Sequence, residues 1–339
     1  MKYKVENGKL IIETEEKTYS FEAHAEAPRP SMLGWGLSAG GKHWSNRDEN
    51  IRLEKHTSVQ DAAVGDKYAA WYTQELLPDG VDYKLSKNAK IYLGELQSGE
   101  TRELYKGECY GDLVFDNDDL YFNVGNKVAV IHLENGGTEV LFKHSGIKKN
   151  RICLQITPKR IFFDHWTKDK NYLMWYDRAS GEVINPHADT CYYGVIDDDT
   201  VVFDSLEYAW KIDLNTVKKK RFFTGKQIEQ LCSRVCGFFD IPQEYYAKNF
   251  TVSFREMIGD KLYFVCKGSG DIEGMSYSEY RKKMNELGLP NSIKAEISCG
   301  TDGKNVEFVL NKDDIKKESR QDERYDYPYV SWSASTRNY

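Results

Sequence analysis

Asp116-Asn117-Asp118-Asp119-Leu120-Tyr121-Phe122-Asn123, followed by Val128-Ala129-Val130-Ile131-His132-Leu133-Glu134-Asn135-Gly136, is the stretch that decides the fold. A tight polar turn opens a short apolar run, and an alternating strand then closes in a second turn. Asn and Gly suit the positive-φ positions of tight hairpins, and alternation buries one face of a strand. The turn-and-run recurs at Glu6-Asn7-Gly8-Lys9 before Leu10-Ile11-Ile12, and at Val64-Gly65-Asp66-Lys67 before Tyr68 to Trp71. It returns at Thr157 to Arg160 before Ile161-Phe162-Phe163, at Asp197 to Thr200 before Val201-Val202-Phe203, and at Ile258 to Lys261 before Leu262-Tyr263-Phe264. The turns start about 40 to 60 residues apart, the period of four-stranded propeller blades. The pattern predicts an all-β chain, a six-bladed β-propeller over residues 1–311. Seven blades is the alternative, with Tyr327 to Ser333 closing a further one. A charged, then aromatic tail (312–339) packs on the propeller or closes it, and Lys312 to Arg324 reads as a solvated segment or a fraying helix.

Composition narrows the function classes. A net charge of −6 over 339 residues, with both signs mixed, gives no general attraction to nucleic acid or anionic lipid. No run of about 18 apolar residues is present, so no helical membrane span is expected. The opening Met1-Lys2-Tyr3-Lys4-Val5-Glu6 lacks an apolar signal region, which points to a cytoplasmic protein. Seven cysteines without Cys-x-x-Cys spacing read as small buried hydrophobes. No metal and no cofactor is expected.

Leu120-Tyr121-Phe122-Asn123 through Gly136 resembles the Tyr-Trp-Thr-Asp repeat of low-density-lipoprotein-receptor-type six-bladed propellers, and is similar to TolB-like propeller repeats. Asp164 and Asp204 keep the repeat's final Asp, while Phe replaces its Trp and Val265 replaces its Asp in the sixth unit. The resemblance implies a propeller scaffold. Such families include binders, scaffolds and some enzymes, so it leaves function open.

Long excursions cluster on one face, that of the second-to-third-strand loops: Gln74 to Ala89, Asp164 to Lys170, Gly225 to Lys248 and Gly268 to Ser292. Two carry helices, near 226–239 and 276–288. The Ile228, Leu231, Val235, Phe238 stripe and the Ser276/Glu279 capping box mark them. Function on rigid scaffolds tends to sit on long loops. The predicted binding residues are therefore His165 and Trp166 near the channel, with Tyr245, Tyr246 and Tyr277 toward the rim. The competing site is the His24 to Glu49 insertion, with Trp35, His43, Trp44 and Arg47, placed on the opposite face. Gly36 to Lys42 has P-loop spacing, but His43 stands where Ser or Thr should hold Mg²⁺, so chance glycine spacing accounts for it. Acidic turns at Asp116 to Asp119 and Asp197 to Asp199 are turn chemistry rather than calcium ligands. No motif places a nucleophile, and no catalytic residue is assigned. The expected function is a non-catalytic scaffold for a protein partner or a small-molecule or glycan ligand. The alternative is a hydrolase or lyase acting on a carbohydrate or small metabolite at the channel mouth.

Overall fold

The computed structural model describes residues 2–26, 33–37, 43–47, 54–79, 82–144, 153–167, 170–190, 192–270, 272, 274–309, 315–321 and 329–334. The first sheet is a three-stranded meander of β1 (Lys2–Glu6), β2 (Lys9–Glu13) and β3 (Thr18–Glu22). A two-stranded hairpin follows, β4 (Leu33–Leu37) with β5 (His43–Arg47). Four antiparallel four-stranded meanders come next. They are β6 (His56–Val64), β7 (Tyr68–Asp79), β8 (Asp82–Glu95), β9 (Thr101–Gly107); β10 (Tyr110–Asp116), β11 (Asp119–Val124), β12 (Lys127–His132), β13 (Gly137–Lys143); β14 (Leu154–Ile156), β15 (Arg160–Trp166), β16 (Asn171–Asp177), β17 (Glu182–Asp189); and β18 (Tyr193–Asp197), β19 (Thr200–Ser205), β20 (Tyr208–Asp213), β21 (Lys218–Arg221). After helix α1 (Gly225–Phe239), the last sheet begins with β22 (Phe250–Ile258) and β23 (Lys261–Ser269). Helix α2 (Tyr277–Glu286) then leads to β24 (Ser292–Gly300), β25 (Glu307–Phe308), β26 (Ile315–Arg320) and β27 (Tyr329–Ala334). The repeated four-stranded meander is the sheet unit of a β-propeller.

Each of the six predicted turns joins the first two strands of its sheet, and the first of these sheets has three strands. One backbone bond repeats across four sheets. Leu96, Leu133, Arg178 and Leu214 each donate N–H to the carbonyl of Lys67, Asp118, Lys159 and Asp199 respectively. That bond aligns Trp71, Phe122, Phe163 and Phe203 at one register position, the fourth after the acceptor residue, and all four are buried.

The chain divides into two compact units, Met1–Asn185 and Pro186–Tyr339. In the first unit, Leu10, Ile12, Phe21 and Trp71 form one cluster, and Ile91, Leu113, Leu120 and Phe122 form another. Neighbouring sheets are also tied by polar contacts. Asp61 Oδ2 accepts the Leu113 N–H at 2.8 Å, and Arg178 donates to Asp116 at 3.0 Å and to the Tyr121 hydroxyl at 3.1 Å. In the second unit both helices pack onto the sheets: Leu231, Cys232, Val235 and Cys236 of α1 join Tyr280 and Met284 of α2 in a core with Phe254 and Phe264. Both helix starts carry capping boxes, Thr224 with Gln227 and Ser276 with Glu279.

Several sequence readings change. The sequence pattern also suggests a fourth strand for the first sheet at Ile51 to Lys55, after an insertion; Glu54 and Lys55 are outside any strand, and 51–53 lie outside the described residues. Ile315–Arg320 is a strand rather than a fraying helix. It pairs with β27, which runs parallel to β24, so the tail joins the last sheet instead of starting another. The Gln74 to Ala89 excursion is largely strand, since β7 and β8 continue as a paired hairpin to Asp79 and Asp82. Asp164 to Lys170 is no long loop either, because β15 runs to Trp166 and a tight turn at Thr167–Lys170 returns the chain.

Gly94 exposes the tightness of the first two sheets. A Cβ there would lie 2.6 Å from the Phe21 ring and 3.0 Å from Trp71. Gly94→Ala is expected to destabilise the protein by about 1–3 kcal/mol, the usual cost of overpacking. A lowered urea midpoint at unchanged slope is the readout.

Candidate functional site

At one end of the β6–β9 sheet the buried strand pair turns polar. The apolar run of β7 ends at Tyr72, and Thr73, Gln74 and Glu75 follow before the hairpin extension begins. Thr73 pairs with Lys90 and Trp71 with Tyr92, while Thr57 pairs with Glu75 and Lys90 with Lys106. Cross-strand partners share a sheet face. One face therefore carries an apolar base of Trp71 and Tyr92 and a polar upper part of Thr57, Thr73, Glu75, Lys90 and Lys106.

The chain leaving β3 walls this face. Ala23 accepts the Trp71 indole N–H at 3.2 Å, His24 stacks on Tyr92 with ring centroids 4.3 Å apart, and Glu26 N–H binds the Thr57 carbonyl at 2.8 Å. Between them lies a cavity of about 330 Å³, lined by His24, Thr57, Thr73, Gln74, Glu75, Asn88, Lys90, Tyr92 and Lys106. The residues that open the His24 to Glu49 insertion thus sit at the same end of the sheet as the Gln74 to Ala89 excursion, not opposite it. The cause is parity: with three strands in its sheet, the chain leaves β3 beside the Asn7-Gly8 turn, where Ala23 N–H binds the Gly8 carbonyl.

The charges in this site are matched but not spent. Lys90 Nζ lies 2.7 Å from Glu103, which raises the lysine's pKa and lowers that of the carboxylate. Glu75 is paired with Lys55 at 2.6 Å. Gln74 is fully buried; its amide N–H donates to the Ser86 carbonyl, while Oε1 has no hydrogen-bond partner among the described residues. A buried acceptor left without a partner costs about 1–3 kcal/mol, and this one lies in the interior behind the cavity wall.

The predicted site residues are distributed differently. His165 and Trp166 lie in the first unit and Tyr245, Tyr246 and Tyr277 in the second, each set described within its own unit. His165 is buried on β15, its ring near those of Tyr172 and His144, with Nδ1 unpartnered among the described residues. Trp166 is on β15 by its backbone, and its side chain lies outside the described residues. Tyr246 is wholly buried, donating its hydroxyl to the Pro290 carbonyl at 2.6 Å, so it serves the core of the second unit. Tyr245 is partly buried against that core, and Tyr277 is half exposed at the start of α2. Trp35, His43, Trp44 and Arg47 fall on the β4–β5 hairpin, and their side chains, with residues 38–42, lie outside the described residues. Among the described residues no three His, Cys, Asp or Glu side chains converge as metal ligands, and no helix is long and apolar enough to cross a membrane.

Sequence reasoning found His24 only as the edge of an insertion and missed Gln74, Lys90 and Lys106. The available signal was the change from apolar to polar within one strand register, at Thr73-Gln74-Glu75 opposite Asn88 and Lys90. It was read as the end of a strand.

No protein-family model matches the chain, and no curated protein matches its sequence. Solved structures similar to it include the nidogen/laminin complex, at 10% identity over 82% of this chain and 84% of that one, with a TM-score of 0.39. TolB from Acinetobacter baumannii is similar at 8% identity over 86% and 90% of the two chains, with a TM-score of 0.36. A prolyl endopeptidase is similar at 12% identity over 98% of this chain and 45% of that one, with a TM-score of 0.46. The fold is all-β and of β-propeller type. That description rests on the sheets.

Two buried groups give opposite pH responses. Burial, with His165 close by, pulls the His144 imidazole from 6.5 down to about 4. As pH falls from 6.5 toward 4 the unfolded chain takes up a proton that the native state refuses, so stability declines over that window. Burial pushes the Asp204 carboxyl from 3.8 up to about 6, against the pull of Lys267. Here the native state keeps the proton that the unfolded chain loses, so stability declines as pH rises from 3.8 to 6. His144→Gln is expected to flatten the acid limb between 6.5 and 4, and Asp204→Asn to raise stability relative to the parent above pH 6. Urea midpoints measured from pH 3.5 to 8 check both signs.

Proposed function

We propose that the protein is a non-catalytic binding module, a propeller-type scaffold that holds a small polar molecule where the β7–β8 hairpin rises from its sheet. The observation that carries this reading is the polar cavity of about 330 Å³ walled by strands β6 to β9 and by His24. Its volume is at the lower end of small-ligand pockets, which run from about 300 Å³ upward. Rigid strands rather than loops supply most of the lining, which suits selective binding without rearrangement. The lining is also poorly arranged for catalysis. Among the described residues that line it there is no serine or cysteine and Glu75 is the one carboxylate, while Glu103 favours the charged form of Lys90. Paired carboxylates, as glycoside hydrolysis requires, do not occur among the lining residues.

The test is a thermal-shift screen of neutral, acidic and basic small metabolites against the parent protein and Asn88→Trp. Asn88 is exposed at the cavity wall, so the bulky side chain fills the space without disturbing the core. At a ligand concentration roughly a hundredfold above Kd the parent should gain about 2.7 kcal/mol, a shift of several degrees. Asn88→Trp should abolish the shift, and the ligand should be recovered unchanged. Shifts that persist in the variant, or consumption of the ligand, would overturn the reading.

A further inference from the structure

Resting on that reading of the cavity, we infer that its ligand is a hydroxylated carboxylate of monosaccharide size, a sugar acid. Charge is the first argument. Lys90 and Lys106 stand directly opposite each other on β8 and β9, a like-charge pairing that is unfavourable unless an anion lies between or beside them. Glu103 balances one of the two, and Glu75 is balanced by Lys55. One positive charge remains beside the cavity, which matches a single carboxylate. A phosphate dianion would carry a second negative charge close to Glu103 and Glu75.

Hydrogen-bonding groups are the second argument. Thr57, Thr73 and Asn88 line the cavity with groups that both donate and accept, the complement of a polyol, whereas a bare carboxylate would offer them no donor. Shape is the third. His24 lies flat on Tyr92, at an interplanar angle of 16°, and presents its exposed ring at the cavity edge as a platform for the C–H face of a pyranose. Among the described lining residues there is no glycine and no helix start to hold a phosphate through backbone N–H groups.

Isothermal titration of the full chain with D-glucuronate, D-glucose and glucose 6-phosphate tests the assignment. Glucuronate should bind, glucose should bind roughly tenfold more weakly, and glucose 6-phosphate should not exceed glucuronate. Lys106→Met, at an exposed position, should weaken glucuronate about tenfold and leave glucose unchanged. Asn88→Trp should weaken both sugars. Equal binding of glucose and glucuronate, tighter binding of the phosphate, or no binding of any of the three overturns the sugar-acid assignment. In each case the reading of the cavity stands if some other compound gives a shift that Asn88→Trp abolishes. It falls with the assignment if no such compound exists.

Discussion

Burial of the second strand on both of its faces, in the four-stranded sheets, is the constraint from which the rest follows. In a meander stacked between neighbours, that strand has no solvent side over its central residues. Leu120 to Asn123 on β11 and Ile161 to His165 on β15 are buried without a break, as are Ala69 to Gln74 on β7. A strand buried on both faces cannot alternate, so it reads as a continuous apolar run. The residue that enters such a run must come from a tight turn, because the preceding strand packs directly beside it. This is why the turn-and-run was visible in the sequence, and why large rings recur at Trp71, Phe122, Phe163 and Phe203.

The same constraint fixes where polar chemistry can begin. Along β7 the environment stays closed past the point where the side chains stop being apolar, so Thr73 and Gln74 are buried polar groups. Within the core each such group needs a partner. At Gln74 the amide N–H finds one in the Ser86 carbonyl, and the oxygen is buried with no partner among the described residues. The unusual length of β7 and β8 is part of this arrangement. It carries Glu75 and Asn88 beyond the core while keeping them on rigid strands, where the supporting pairs Lys55–Glu75 and Lys90–Glu103 hold the walls.

How much of this was legible depended on whether the signal was local. Turns, runs and capping boxes are written in consecutive residues, so the sheets and both helices could be located. The helices' inner faces were legible too, since Leu231 and Val235, and Tyr280 and Met284, follow helical spacing. Parity was not legible. Counting Ile51 to Lys55 as a strand reverses the end at which the chain leaves the first sheet, and that one error moved the His24 segment to the wrong side. The cavity was invisible for a related reason: its residues come from β6, β7, β8, β9 and the segment after β3, and only the pairing register brings them together. Exposed-looking aromatics were a poor guide, because Tyr246 is consumed by the core of the second unit.

The repeat's final Asp shows why likeness of sequence carried architecture and not chemistry. By the repeated backbone bond, Asn123, Asp164 and Asp204 occupy one register position, directly after the large ring. Asp164 accepts the N–H of Cys153, the residue before β14 begins, at 2.6 Å and so ties the incoming chain to the second strand. Asn123 holds the carbonyl of Gly125 and accepts from His144 Nε2, both at 3.2 Å, fastening the turn and the exit of β13. At Asp204 the tie to the incoming chain is made by the backbone instead, through its N–H to the Tyr192 carbonyl, and the carboxyl is left buried with its pKa raised. Position is kept while the bonds change, because what the meander needs there is a short polar group at the end of a closed run. A residue held in place for that reason says where a sheet ends. The groups proposed to bear on binding, Lys90 and Lys106, lie where the β6–β9 sheet departs from the repeat.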